Sequence, residues 1–282
     1  MRPRITDLRC LIGSRARLIF ATVLVVCSAS NVKADTTRSV FQIIGSDLEK
    51  AGKKSLLFLS SPFRATGSDY LYLAGGAMAQ IGLIAIDDET TPWLDRNLDL
   101  IRLNAEPNIW KFYGERDYAI AAVLATYTTG LIIDDENTRR IARMCGESLL
   151  FSAIIGGATK VIAGRSRPAH GDNWEWNIWE TDDAHQSFPS GHTTIAFTLS
   201  SVLAEEIDNN AIDIGLYTLA ALTGLSRIVD GRHWFADVVG GAAIGTLCGI
   251  FVSRNEYEVS EGEDESVRLL PHGSGLTLQY KF

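Results

Sequence analysis

Three cations, two histidines and one carboxylate fall at fixed spacings in the second half of this 282-residue chain. Lys160 is followed by Arg167 and Pro168, then comes Pro189-Ser190-Gly191-His192, and Ser226-Arg227 precedes His233 and Asp237. An ammonium and two guanidinium groups suit the oxygens of a phosphate, because the Arg fork matches two oxygens at once and Lys adds a point charge. One imidazole can attack phosphorus while a second gives and takes the leaving-group proton. The set is complete for phosphoryl transfer and calls on no metal or other cofactor.

Each motif asks for a particular element to hold it. Lys160 and Arg167 stand two helical turns apart, so one continuous helix would put them on nearly the same face, with Pro168 ending it. Pro189 to His192 directly precede an apolar stretch from Thr193, which predicts a turn and a capping Ser190 at a helix N-terminus, where free N–H groups favour an anion. His233 and Asp237 are four apart at the start of another stretch. On one helix face Asp237 can accept from Nδ1–H and leave Nε2 free to attack. Singly, each motif has a plainer explanation: a surface Lys and Arg, a helix cap, a surface His-Asp pair. Eleven positions, each met by chance about one time in twenty, exclude coincidence when taken together.

On these residues the chain resembles the type 2 phosphatidic acid phosphatase and vanadium haloperoxidase superfamily. Its pattern is Lys, six residues, Arg-Pro; then Pro-Ser-Gly-His; then Ser-Arg, five residues, His, three residues, Asp, and every fixed position is met here. The resemblance spans roughly residues 117 to 253 and leaves out the N-terminal segment and the C-terminal tail. It implies that His233 is the nucleophile forming a phosphohistidine, held by Asp237, and that His192 protonates the leaving alcohol and then activates water. It also implies that Lys160, Arg167, Arg227, the Ser190 hydroxyl and the Gly191 N–H bind the phosphoryl oxygens. Vanadate is then expected as an inhibitor, since it resembles the pentacoordinate transition state.

The elements around the motifs point to an all-α fold. Six apolar stretches, Tyr70 to Ile86, Tyr118 to Ile133, Leu149 to Ala163, Thr193 to Leu203, Ile212 to Leu225 and Val238 to Val252, are long, rich in Ala, Leu, Ile and Gly, and lack strict alternation. They predict a bundle of about six core helices over 69–253, after a signal peptide at 1–34 and an N-terminal segment at 35–68. Gly75-Gly76, Gly156-Gly157 and Gly240-Gly241 are expected where helices pack tightly, and the connector at 207–211 makes its flanking helices antiparallel neighbours. Asp87 to Glu115 reads as a polar connector with Asp87-Asp88-Glu89 in solvent. Residues 254–282 read as an acidic linker, starting with Glu256, and a short β-like tail from Gly275 to Phe282 that alternates apolar and polar side chains.

Arg2, Arg4, Arg9, Arg15 and Arg17 precede the apolar run Leu18 to Cys27, which predicts secretion across the inner membrane to the periplasm. A lipid-attached Cys27 or an uncleaved N-terminal anchor is the alternative. The uninterrupted apolar runs reach mostly 11 to 17 residues, against roughly 17 to 25 for a span, and the connectors lack a Lys and Arg bias. These features favour a soluble periplasmic or membrane-associated protein over an integral one. A net charge of −8 argues against a nucleic-acid partner. Cys145 and Cys248, the two cysteines beyond the signal, read as buried thiols, with a disulfide as the alternative.

Trp174, Trp176 and Trp179 crowd the segment joining the first two motifs, beside His170 and His185, which read as surface residues. Those tryptophans can receive an acyl or prenyl chain, lie at a membrane interface, or pack their own loop. The expected activity is a phosphomonoesterase acting on a lipid phosphate or isoprenyl pyrophosphate, with small soluble phosphoesters as the alternative substrate. Two further alternatives are a vanadate-dependent haloperoxidase, members of which tend to be longer chains, and a non-catalytic phosphate- or lipid-binding protein. The last would have no use for His192, His233 and Asp237 together.

Overall fold

The described residues of this computed structural model form eight α-helices, two short 3-10 turns and a two-stranded hairpin. The structure describes residues 39–98, 109–261, 267–272 and 275–280. The expected signal segment, with Cys10 and Cys27, lies outside the described residues. In chain order the helices are α1 (Val40–Arg64), α2 (Gly67–Ala85), α3 (Asp87–Asn97), α4 (Arg116–Ile132), α5 (Glu136–Ala163), α6 (Gly191–Ile207), α7 (Asn210–Val229) and α8 (Phe235–Glu261). A 3-10 turn over Ile109–Gly114 leads into α4, and β1 (Val267–His272) pairs antiparallel with β2 (Gly275–Tyr280) outside the helical bundle.

Local chemistry sets the helix ends. Ser39 caps α1, its hydroxyl accepting from Gln42 N while the Gln42 side chain accepts from Ser39 N. Asp135 accepts from Thr138 N at the start of α5, and the Asn209 side chain accepts from Ala211 N and Ile212 N at the start of α7. Asp208 turns the chain between α6 and α7 in a left-handed conformation, so the short connector does set two consecutive antiparallel helices side by side.

The core lies where α5, α6 and α8 meet, around Met144, Cys145, Phe151, Leu199, Val202 and Val252, with Phe58 of α1 stacked on Phe151 at 4.1 Å. Cys145 and Cys248 are both buried free thiols. Gly241, Gly245 and Gly249 form a stripe along α8 that lets α6 approach closely. A Cβ at Gly241 would stand 2.6 Å from Ser190 O, one at Gly249 2.6 Å from Ser201 Cβ, and one at Gly245 would strike Thr194 O. Tight packing therefore holds for Gly240-Gly241, whereas Gly75, Gly76 and Gly157 have open space where a Cβ would go.

Three expectations, two about connectors and one about helix lengths, are overturned. Asp87-Asp88-Glu89 opens a helix, α3, and Asp87 is fully buried because a buried guanidinium and a backbone N–H supply its donors. The chain beyond Arg254 stays helical to Glu261, and Glu256, expected in an acidic linker, is buried against Lys54 of α1 and Arg143 of α5. The helices also outrun their apolar cores: α5 has 28 residues, α7 20, and α8 22 up to Glu256, and each is long and apolar enough to cross a membrane. The polar end of α5 extends it because its charges are paired inside the bundle. α2 and α3 meet at a 68° bend and together reach the same length.

That pairing is a buried cluster at the end of α5 away from Lys160. Lys54 Nζ lies 2.5 Å from Glu147 Oε2 and bonds Glu256, while Arg143 Nη1 and Nη2 reach Glu147 Oε1 at 3.1 Å and Glu256 Oε1 at 2.5 Å. Removing one cation leaves a desolvated carboxylate underpaired, at a cost of roughly 3–5 kcal/mol. Lys54→Met should therefore lower stability by about that amount in detergent denaturation, and Lys54→Met with Glu147→Gln should recover part of it. Unchanged stability in the single variant would show that the cluster does not hold α1 to the bundle.

Candidate active site

Lys160 lies in the last turn of α5, and the helix does not reach Arg167. Gly164 ends it in a left-handed conformation, φ 56°, and a Cβ there would collide with Asn177 O. The expectation of one helix face carrying both cations is thus wrong, since glycine's freedom turns the chain before Arg167 is reached. Arg165, Ser166 and Arg167 instead lie outside any helix, Arg165 bridging to Trp176 across the 164–188 loop. Lys160 Nζ donates to Gln186 O at 2.8 Å on the returning arm of that loop. Arg167 Nε and Nη2 bond Asp183 O and Oδ1, both at 2.7 Å, and Nη1 donates to Arg232 O at 2.9 Å. The loop and the 230–234 turn therefore share one guanidinium, and Pro168 follows it away from the helix.

Ser190 is the N-cap residue of α6, but its side chain makes no capping bond. It is fully buried, and its Oγ accepts from Thr193 Oγ1 at 2.9 Å. Ser190 N donates to Asp237 O at 3.0 Å, which joins the second motif to the third through backbone. Pro189 follows a cis peptide bond, and Gly191 begins α6 with open space where a Cβ would stand. His192, one residue into α6, has Nε2 3.3 Å from Glu115 Oε2 at the head of α4.

The third motif is split between two helices. Ser226 and Arg227 lie near the end of α7, with Ser226 Oγ donating to Thr223 O and Arg227 paired to Asp230. His233 sits in the turn before α8, and Asp237 is in its first turn. His233 Nδ1 stands 2.8 Å from Ser187 O and 3.6 Å from Asp237 Oδ2. A carbonyl only accepts, so Nδ1 carries the proton and Nε2 keeps its lone pair. The expected direct bond from Nδ1–H to Asp237 is replaced by one to Ser187 O, because His233 precedes the helix and so does not share a helical face with Asp237.

Asp237 is fully buried and richly held. Oδ1 accepts from Arg165 Nη1 at 2.7 Å, and Oδ2 accepts from Ser187 Oγ at 2.5 Å and Trp234 N at 2.9 Å. Burial pushes His233 down to about 4, with Lys160 and Arg167 acting the same way and Asp237 pulling against them. Burial also lowers His192, helped by Arg227 and opposed by Glu115. Both rings are therefore neutral near pH 7.

Four residues of this region escaped the sequence. Ser187 and Glu115 belong to no pattern, and Asp87 looked like part of a solvated acidic run. Arg165 had a signal in the run Gly-Arg-Ser-Arg-Pro, two residues before Arg167, though nothing there separates a buried arginine from a surface one. His170 is exposed, as expected. Of the tryptophans, Trp176 packs inward on Arg165 and Phe188, whereas Trp174 and Trp179 are exposed at 51% and 69%.

Parts of this chain are similar to known proteins. The chain is 37% identical over 112 residues to a lipid A 1-phosphatase of Porphyromonas gingivalis, a match covering 38% of this chain and 22% of that protein. It is 38% identical over 91 residues to an acid phosphatase of Zymomonas mobilis, covering 30% and 34%, and 32% identical over 143 residues to lipid phosphate phosphatase 1 of Arabidopsis thaliana, covering 39% and 42%. The chain thus spans between about a fifth and two fifths of the length of these curated relatives. The family model described as the PAP2 superfamily matches from Arg143 in α5 to Ser260 in α8, a stretch that takes in all three motifs.

Proposed function

We propose that this chain hydrolyses the phosphomonoester of an amphiphilic substrate, a lipid phosphate or isoprenyl pyrophosphate, through a phosphohistidine. The observation that carries this is His233: a buried ring whose Nδ1–H is taken by Ser187 O and whose Nε2 keeps its lone pair, with Lys160 and Arg167 electrostatically beside it. Nε2 forms a bond to phosphorus as the bond to the leaving oxygen breaks, and His192 supplies the proton that this oxygen needs. His192, then neutral, takes a proton from water, whose oxygen attacks phosphorus and frees His233. Lys160, Arg167, Arg227, Ser190 Oγ and Gly191 N–H hold the equatorial oxygens, and Asp237 offsets the charge on the phosphorylated ring. No metal or other cofactor enters these steps.

The names of two relatives, a lipid A 1-phosphatase and a lipid phosphate phosphatase, support a lipid substrate. So does the apolar exterior: α5, α7 and α8 are long enough to span a bilayer, and Phe41, Phe63, Leu71 and Tyr72 of α1 and α2 point outward. We read these helices as membrane-seated, with the site facing the periplasm. The acid phosphatase relative favours a second reading, small soluble phosphoesters. Phosphate release from phosphatidate, an isoprenyl pyrophosphate and para-nitrophenyl phosphate, each with and without detergent, separates the two.

His233→Ala should reduce phosphate release to background while leaving the melting temperature in place, and substantial residual turnover would remove the mechanism. His192→Ala should cost on the order of 10²–10⁴-fold on an alkyl phosphate. In kcat/KM, which reports the transfer to His233 and not the later attack of water, it should cost far less on para-nitrophenyl phosphate, whose leaving group departs without a proton; equal losses in kcat/KM on both would deny His192 the acid role. Vanadate should inhibit both reactions competitively.

The pH profile follows from the two rings. His233 must be neutral to attack, and it is neutral above about 4, so kcat/KM should rise through that value. His192 must be protonated to donate, and its lowered pKa means that this form is lost below the ordinary histidine value of 6.5. The optimum should therefore be acidic, and the alkaline limb should vanish in His192→Ala. A limb above the ordinary histidine value would assign the acid to another group.

A further inference from the structure

Arg165 is the largest fully buried side chain among the described residues, and every nitrogen of its guanidinium is already engaged. Nη1 donates to Asp237 Oδ1 at 2.7 Å, Nη2 to Asp87 Oδ2 at 2.9 Å, and Nε and Nη2 to Asn173 O at 3.1 and 2.8 Å. The Trp176 and Trp234 rings flank it, with centroids 5.3 and 5.5 Å from the guanidinium carbon. Asp87 is itself tied to α8, accepting from Ala236 N at 2.9 Å, and Thr91 Oγ1 of the same helix accepts from Phe235 N at 3.0 Å. Four of its five N–H groups are spent and the side chain is closed off from solvent, so Arg165 is not placed to bind a phosphate. A dry site also tolerates it only for what its partners do.

We propose that Arg165 is a positioning residue for the His233 chemistry: anchored on Asp87 and locked between two indoles, its fork keeps the Asp237 carboxylate ionised and aimed at the turn that carries His233. The proposal rests on the phosphohistidine reading given above. Asp237 has no other cation within hydrogen-bond reach among the described residues, and a desolvated carboxylate without one takes up a proton. A protonated Asp237 would no longer offset the charge that His233 gains on phosphorylation. The fork fixes geometry as well, because its two arms reach carboxylates on α3 and α8 while its own backbone belongs to the loop between the first two motifs.

The groups facing His233 are Asp237 and the Ser187 carbonyl, with Lys160 and Arg167 beyond them; those facing Arg165 are Asp87, Asp237, Asn173, Trp176 and Trp234. Without the guanidinium, either Asp237 keeps an unopposed charge that holds His233 protonated to higher pH, or Asp237 takes a proton and must lose it before reaction. Both move the acid limb of activity upward. Neither touches the phosphate-binding cations.

The test uses the full chain in detergent, with each rate corrected for the folded fraction. Arg165→Gln should lower kcat on the order of tenfold to a hundredfold, keep KM within about threefold, and raise the acid limb of kcat/KM by about one pH unit. Arg165→Lys keeps the charge without the fork, so it should lower kcat and leave the limb in place. Asp87→Asn frees the whole guanidinium charge for Asp237 and should hold the limb or lower it. An unmoved limb in folded Arg165→Gln, a wild-type kcat in Arg165→Lys, or an upward shift in Asp87→Asn overturns the proposal, and the last variant decides if neither Arg165 substitution folds. Phosphate release surviving in His233→Ala removes the underlying mechanism, whereas an inactive His233→Ala beside ordinary Arg165 variants removes the positioning role alone.

Discussion

A single carboxylate, removed from water and fed by donors from several segments, organises the working end of this molecule. Asp237 receives Arg165 from the stretch after α5, Ser187 from the end of the following loop, and Trp234 N–H from its own turn, and its backbone carbonyl receives Ser190 N from the start of α6. Burying a carboxylate is costly unless its lone pairs are met. The segments that meet them must therefore stay together, and the histidine, serine and lysine they carry are brought together as a consequence.

The bundle supplies the conditions for such a site. α6 and α8 can approach closely because Gly241, Gly245 and Gly249 present no side chain to α6, and that approach puts the start of α6 beside the first turn of α8. At the far end, the Lys54, Arg143, Glu147 and Glu256 cluster ties α1 to α5 and α8. Charges are thus concentrated at two ends of a bundle whose flanks are apolar.

Part of this is legible in the residues alone. Six helices are readable because apolar runs of that length without alternation have no stable strand form, and Asn209 and Asp135 mark two helix starts through ordinary capping chemistry. The helix limits are less legible. α5 begins at Glu136, well before its apolar run, because Arg143 and Glu147 find partners on α1 and α8 that no local pattern predicts. Asp87 and Glu256 read as solvated acids for the same reason: burial of a charge depends on what lies opposite, and the opposite residue is remote in the chain.

What the sequence determined by itself is the inventory and the spacing: three cations, two histidines, one aspartate and the turn-forming Ser-Gly, set before, between and after helices. Residue type decides which groups can hold a phosphate or attack it, and type needs no fold. Only the tertiary structure decided the partnerships. It ended α5 at Gly164, separated Lys160 from Arg167 by a turn, gave the His233 Nδ1 proton to Ser187 O, and handed Asp237 to Arg165. A hydrogen bond is a matter of a few tenths of an ångström between groups that here lie 46 and 72 positions apart, and such distances are set by packing.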